Sequence, residues 1–93
     1  MSFQNLPIEI KDLIPGYLEN REKEIETLYG FVSDRNLSEI NKIGHKLAGN
    51  AGSYGLEELG KVGEKLEFAT DLSDISQLLS EYKKLLQRYK ELL

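Results

Sequence analysis

Apolar residues in this chain recur at spacings of three and four, and this period constrains the fold more than any other feature. The last segment shows it most clearly, in a stripe formed by Ile75, Leu78, Tyr82, Leu85, Tyr89 and Leu92. Such spacing places side chains on one face of an α-helix. A parallel line at Leu79, Leu86 and Leu93 widens that face, as a helix buried in a bundle requires.

Three earlier segments, residues 14–32, 37–51 and 56–69, show the same period. Asn36, followed by Glu39, has the spacing of a capping box that opens the second of them. No segment shows strand-like alternation bounded by hairpin turns. Because short connections favour antiparallel neighbours, we predict an all-α, antiparallel four-helix bundle. Residues 8–13 leave room for a short extra N-terminal helix.

The composition is typical of one globular domain over residues 1–93, since 40% of the residues are hydrophobic and 30% are charged. No apolar run approaches the roughly 18 residues that cross a bilayer, and residues 1–5 show no secretory signal. The lack of cysteine excludes disulfides and fits the cytoplasm. A start at Met1 and a helix running to Leu93 suit a small free-standing protein, and a four-helix monomer explains the apolar stripes without a dimer.

The net charge of −4 argues against a general nucleic-acid binder, because such proteins usually carry a basic face. One histidine and no cysteine argue against a zinc site, and no run of Asp and Glu has the spacing of a calcium loop. We therefore expect no metal site, no nucleic-acid partner and no membrane partner.

The single histidine, His45, is followed by Gly49, Gly52 and Gly55 in a segment that otherwise has helical character. A glycine inside a helix costs about 1 kcal/mol relative to alanine. On a wheel of about 100° per residue with Ile40 on the core face at zero, His45 falls near 140°, Gly52 near 120° and Gly49 near 180°. His45 is therefore predicted to be exposed, with two glycines beside it that keep space open for a partner.

Simpler interpretations of these residues exist. A lone histidine on a helix is most often an ordinary surface residue. Glycines also serve close helix packing, the role we predict for Gly60 and Gly63, and Gly55 fits a helix boundary. Packing glycines should face a neighbouring helix, however, whereas Gly49 and Gly52 are predicted to face outward.

An exposed imidazole is largely neutral near pH 7, and its ring nitrogen is then a nucleophile. No carboxylate is adjacent to His45 in the sequence, and no serine or cysteine forms an evident relay with it. We therefore expect the histidine to be acted upon by the catalytic machinery of a larger protein. A phosphoryl group fits this role, because Lys42 and Lys46 would offset its charge.

The segment resembles the histidine-containing phosphotransfer (HPt) domain family of bacterial and eukaryotic phosphorelays. The family pattern around the reactive histidine is His-x-Leu-Lys-Gly, followed by small residues and a further glycine. Tyr54 stands at the aromatic or apolar place before that last glycine, and Leu66-Glu67 resembles the Leu-Glu pair of the family's next helix. The residues that match in spacing are Leu47, Gly49, Gly52 and Gly55. The resemblance covers essentially the whole chain.

The resemblance implies that His45 accepts a phosphoryl group from the aspartyl phosphate of a response-regulator receiver domain and passes it to another receiver. The domain would have no independent catalytic activity and would bind no cofactor, since the receiver supplies the acidic pocket and Mg²⁺. A hybrid histidine kinase is the other implied partner. Around His45 and Lys42, the implied docking surface consists of Ser38, Asn41, Ala48, Gly49 and Gly52.

The chain departs from the family pattern at one place. The family commonly has lysine three residues after the histidine, where this chain has Ala48. On the wheel, Lys42 lies about 60° from His45 and Lys46 about 100° away. Lys42 is therefore the better placed of the two to reach a phosphoryl oxygen.

Three other functions are compatible with parts of this pattern. A non-transferring adaptor would dock receivers or kinases through the same face. A histidine-kinase dimerisation segment normally has an acidic residue after its histidine and a proline further on, but Lys46 follows His45 here and no proline occurs after Pro15. A plain structural bundle would use the last apolar stripe to engage another helix, although that stripe is more simply the core of the monomer.

Overall fold

The structure is a computed structural model that describes residues 7–93. In this part the chain forms a short helix, α1 (Ile8–Lys11), and four longer ones: α2 (Ile14–Ser33), α3 (Leu37–Ser53), α4 (Glu57–Glu67) and α5 (Ile75–Leu92). Residues 7–93 contain no strand, so the all-α prediction is confirmed. None of the helices described there has both the length and the apolar character to span a membrane. Residues 1–5, which underlie the prediction of no secretory signal, lie outside the described range.

Local chemistry sets the ends of the helices. Pro15 lies in the first turn of α2, where backbone N–H groups have no partner within the helix, so proline costs no hydrogen bond there. Between α2 and α3 the backbone of Arg35 is left-handed, with φ of 57°. The side chain of Asn36 then accepts a hydrogen bond of 3.2 Å from the Glu39 N–H, which is half of the predicted capping box. Gly55, with φ of 72°, separates α3 from α4, as expected of a boundary glycine.

The four long helices form an antiparallel bundle in which α2 and α4 each contact α3 and α5. The core consists mainly of the predicted stripes, and Tyr82 is its largest fully buried side chain. The predicted buried stripe fails at the end of α5, where Leu92 is 50% exposed and Leu93 is 59% exposed. The reason is that Glu58, near the start of α4, already lies opposite Arg88, so α4 does not extend alongside the last turn of α5.

Helices α3 and α4 approach each other backbone to backbone. A Cβ atom on Gly44 would lie 2.4 Å from the Glu67 amide nitrogen, and one on Gly63 would lie 2.5 Å from the Ala48 amide nitrogen. The packing role predicted for Gly63 is thus confirmed. Gly60 is not needed for this approach, because a Cβ there would make only an ordinary contact of 3.7 Å. The close crossing brings the C-terminal end of α4 against the middle of α3.

Candidate functional site

His45 lies midway along α3 on its solvent side, as the helical wheel predicts. Its side chain is 75% exposed. The Nδ1 atom lies 2.5 Å from Oε2 of Glu67, the last residue of α4. No hydrogen bond among residues 7–93 engages Nε2, and the exposure of the side chain as a whole leaves room for another molecule at the ring.

Glu67 is not among the site residues predicted from the sequence. No carboxylate is adjacent to His45 along the chain, but Glu67, 22 residues away, reaches His45 through the α3–α4 contact. The available signal was the Leu66-Glu67 pair, in which Leu66 is fully buried. A carboxylate that accepts from Nδ1 favours the tautomer with its proton there, which leaves the lone pair on Nε2.

Asn41 fixes the end of α4 that carries Glu67. Its Nδ2 atom donates to the backbone carbonyls of Leu66 at 2.8 Å and Ala69 at 3.1 Å. Carbonyls at a helix C-terminus lack partners within the helix, so a side-chain donor stabilises them. Asn41 was predicted to dock a partner, but it is only partly exposed and its amide is engaged inside the protein.

The two lysines predicted to support a phosphoryl group differ in their contacts. The Lys42 ammonium lies 3.1 Å from Oε1 of Glu39, and its side chain is 65% exposed. An exposed pair of this kind is worth no more than about 1 kcal/mol, so the ammonium can move to a stronger anion. Lys46 is exposed and forms no ion pair among the described residues.

A shallow groove along α3 brings several predicted residues together, and we call it the His45 groove. The end of α4 closes one side of it and contributes Glu67 and Phe68. Phe68 is 70% exposed, which makes it a large apolar surface next to the histidine. The other lining residues are Leu37, Ser38, Asn41, Lys42, His45 and Lys46.

The remaining predicted docking residues lie outside this groove, on the C-terminal half of α3. Gly49 and Gly52 are exposed, and a Cβ atom on either would meet no other atom within 4 Å. Packing therefore does not require glycine at these two sites. Ala48 is half-buried, and its backbone lies against Gly63 of α4.

An aromatic cluster ties this half of α3 to α2. The Tyr17 hydroxyl donates to Oδ1 of Asn50, and the Tyr17 ring stacks on Tyr54 with their centroids 4.3 Å apart. Burial raises the pKa of Tyr17 to about 12, so the hydroxyl remains a donor even in alkaline solution where a free tyrosine would ionise. The part of α3 that carries the exposed Gly49 and Gly52 is therefore held against α2.

Within residues 7–93, no group of three or more His, Cys, Asp and Glu side chains is arranged to hold a metal ion. Comparison with protein-family models, with curated proteins and with solved structures gave no match to this chain. A functional assignment therefore rests on the residues and geometry of the site itself.

Proposed function

We propose that this protein is a phosphohistidine carrier of the HPt type. His45 accepts a phosphoryl group from the aspartyl phosphate of one receiver domain and donates it to another. The observation that carries the proposal is the imidazole itself, which is largely exposed while its Nδ1 contacts the Glu67 carboxylate. This contact occupies one ring nitrogen and leaves the other as the candidate acceptor.

The proposed transfer uses Nε2 as the nucleophile. Its lone pair attacks the phosphorus in line, so that an N–P bond forms while the bond from phosphorus to the donor carboxylate oxygen breaks. The donor aspartate leaves as a carboxylate, and the Nδ1 proton stays hydrogen-bonded to Glu67 throughout. The positive charge that develops on the ring is offset by the Glu67 carboxylate. The second transfer reverses these steps on the acceptor aspartate.

The positive charges of two lysines near His45 support the same proposal. A phosphoryl group on His45 would add negative charge within the His45 groove, which Lys42 and Lys46 line. Lys42 would exchange its exposed contact with Glu39 for a phosphoryl oxygen. The family commonly has a lysine three residues after the histidine, where this chain has Ala48, and these two lysines would together take its place.

The shape around His45 suits a partner that must approach closely. Gly49 and Gly52 leave the surface on one side without side chains, and Phe68 offers an apolar contact on the other. A receiver domain could therefore bring its acidic pocket and Mg²⁺ over the ring. This chain would contribute the acceptor atom and its orientation, and the receiver would contribute the catalytic groups. A hybrid histidine kinase in the cytoplasm is the expected source of the phosphoryl group.

The competing function is an adaptor that binds receivers through this face without transfer. Exposed Gly49, Gly52 and Phe68 would serve docking equally well. The contact between Nδ1 and Glu67 favours transfer, because docking alone does not depend on which ring nitrogen carries the proton.

The direct test is to incubate the protein with each receiver domain of its source organism, phosphorylated with a radioactive phosphoryl donor and Mg²⁺. We expect a label on this chain that is labile in acid and stable in base, as a phosphoramidate is. His45→Gln should abolish the label while the circular dichroism spectrum is unchanged. Binding to a receiver without any label would reject transfer and establish the adaptor.

A further inference from the structure

A second groove lies on the other side of α4, where this helix packs against α5. Its volume is about 320 Å³. We call it the α4–α5 groove, and it is lined by Glu58, Lys61, Val62, Lys65, Glu81, Lys84, Leu85 and Arg88. The groove shares no lining residue with the His45 groove.

The charge of this groove is opposite to that of the whole chain. Four of its lining residues are cationic and two are acidic, whereas the chain has a net charge of −4. Ion pairs close its two ends. Lys65 lies 3.8 Å from Glu81 at one end, and Arg88 lies 3.4 Å from Glu58 at the other.

Lys61 and Lys84 lie between those two ion pairs, and neither forms an ion pair within the described part of the chain. Both are exposed. Val62 and Leu85 line the groove beside them and are almost fully buried, with 4% and 8% of their surface exposed. The middle of the groove therefore combines two uncompensated positive charges with an apolar floor.

We propose that the α4–α5 groove binds a short acidic segment of a partner protein. Carboxylates of that segment pair with Lys61 and Lys84, and an apolar side chain between them contacts Val62 and Leu85. This site is separate from the proposed transfer at His45 and does not depend on it.

The dimensions favour a short segment. From Glu58 to Lys65 the α4 backbone rises about 10.5 Å, at about 1.5 Å per residue. An extended chain covers this distance in about three residues. Because the ion pairs at the two ends show that α4 and α5 run antiparallel, Lys61 and Lys84 lie nearly opposite each other across the groove. A segment of about three residues can therefore present one carboxylate to each lysine.

The same features disfavour a nucleic acid. No aromatic side chain lines the groove, so bases would find no stacking surface there. Glu58 and Glu81 at its ends would repel a continuous polyanion that runs past them. A short segment with two carboxylates needs no stacking surface and fits between the two glutamates.

The test uses the peptide Gly-Glu-Leu-Glu-Gly, with both termini capped, as the probe and the ¹⁵N-labelled whole protein at low ionic strength. We expect saturable changes in the amide signals of Lys61, Val62, Lys84 and Leu85, and weaker binding as salt screens the charges. The same peptide with lysine in place of glutamate should produce no such changes. Changes centred on Lys42 and Lys46, or none that saturate, would overturn the proposal.

A charge-matched pair of variants provides the control. Lys61→Gln/Lys84→Gln should weaken peptide binding about tenfold, whereas Lys42→Gln/Lys46→Gln, with the same change in net charge, should leave it within about twofold. Equal weakening by both double variants would show only general attraction to a cation-bearing surface and would reject the site. Tighter binding of oligothymidylate or of phosphatidylserine vesicles in this groove would reject the choice of an acidic protein segment.

Discussion

Helix α3 contains glycines in two regions with opposite surroundings. Gly44 faces α4, where a Cβ atom would lie 2.4 Å from a backbone nitrogen and 2.6 Å from the carbonyl oxygen of Gly63. Gly49 and Gly52 face solvent, where a Cβ atom would meet nothing within 4 Å. The first region needs glycine for packing, and the second does not.

The packed glycine holds the site together, whereas the two exposed glycines keep its surface open. The approach at Gly44 and Gly63 brings the end of α4 to α3, and with it the Glu67 carboxylate to His45. The bare surface at Gly49 and Gly52 contributes nothing to the core. Glycine there lowers helix stability by about 1 kcal/mol per residue relative to alanine. Access for a partner is the function that would explain this penalty.

The largest expected effect is on the packed side. Gly44→Ala should lower the free energy of unfolding by about 3 kcal/mol, because the atoms that its Cβ meets include backbone of α4, which cannot move aside cheaply. Gly49→Ala is the matched control and should raise the free energy of unfolding by up to about 1 kcal/mol. Urea denaturation followed by circular dichroism measures both. Similar changes in the two variants would remove the distinction between the regions.

The next effect concerns the open side. Gly49→Leu should not lower the free energy of unfolding, since leucine is nearly as good a helix former as alanine. It should reduce the rate of phosphoryl transfer about 100-fold, because a misplacement of about 1 Å at a reacting centre has an effect of that size. Glu19→Leu, on the exposed surface of α2, is a control for an added surface leucine. Normal transfer by Gly49→Leu would show that the space beside His45 has no role in docking.

A smaller effect is expected where the two regions meet, at the contact between Glu67 and His45. Glu67→Gln should slow transfer about tenfold, since a hydrogen bond to a charged group contributes about 1.5–3 kcal/mol. The ¹⁵N signals of the imidazole should also shift toward a mixture of tautomers. Glu64→Gln, on an exposed part of the same helix, should change neither. An unchanged tautomer in Glu67→Gln would contradict the orienting role of the carboxylate.

The smallest effects distinguish the two lysines. Lys42→Ala should slow transfer, or shorten the lifetime of the phosphohistidine, about three- to fivefold, and Lys46→Ala should have less effect, since an exposed ion pair is worth at most about 1 kcal/mol. Rapid-quench labelling followed by decay of the isolated phosphoprotein measures both quantities. Reversed effects would show that Lys46 contributes more than Lys42, and equal effects would contradict the better placement of Lys42.

Sequence patterns predicted the elements of the fold well, because helix formation and capping depend on near neighbours. The Asn36 cap and the break at Gly55 were both readable from a few residues. The exposure of His45 followed from the position of the apolar stripe on the same helix. The error at Leu92 arose because periodicity shows which face is apolar, but not how far the neighbouring helix extends.

The parts of the site that the sequence did not predict all depend on the alignment of α3 with α4. The contacts of Glu67 with His45 and of Asn41 with the end of α4 each join residues more than 20 positions apart. Gly44 gave no signal of its own, since its role requires Gly63 opposite to it. Phe68 became notable only when its exposure beside the His45 groove was known.

An all-α chain with His45 and two glycines on an outward face follows from the amino-acid pattern, because the period of a helix fixes the direction of each side chain relative to its own core stripe. Which atoms contact that histidine depends on how the helices pack. The axial register between two helices is set by close packing of their surfaces, and here Gly44 against Gly63 fixes it. That register places a carboxylate against Nδ1 and leaves Nε2 exposed.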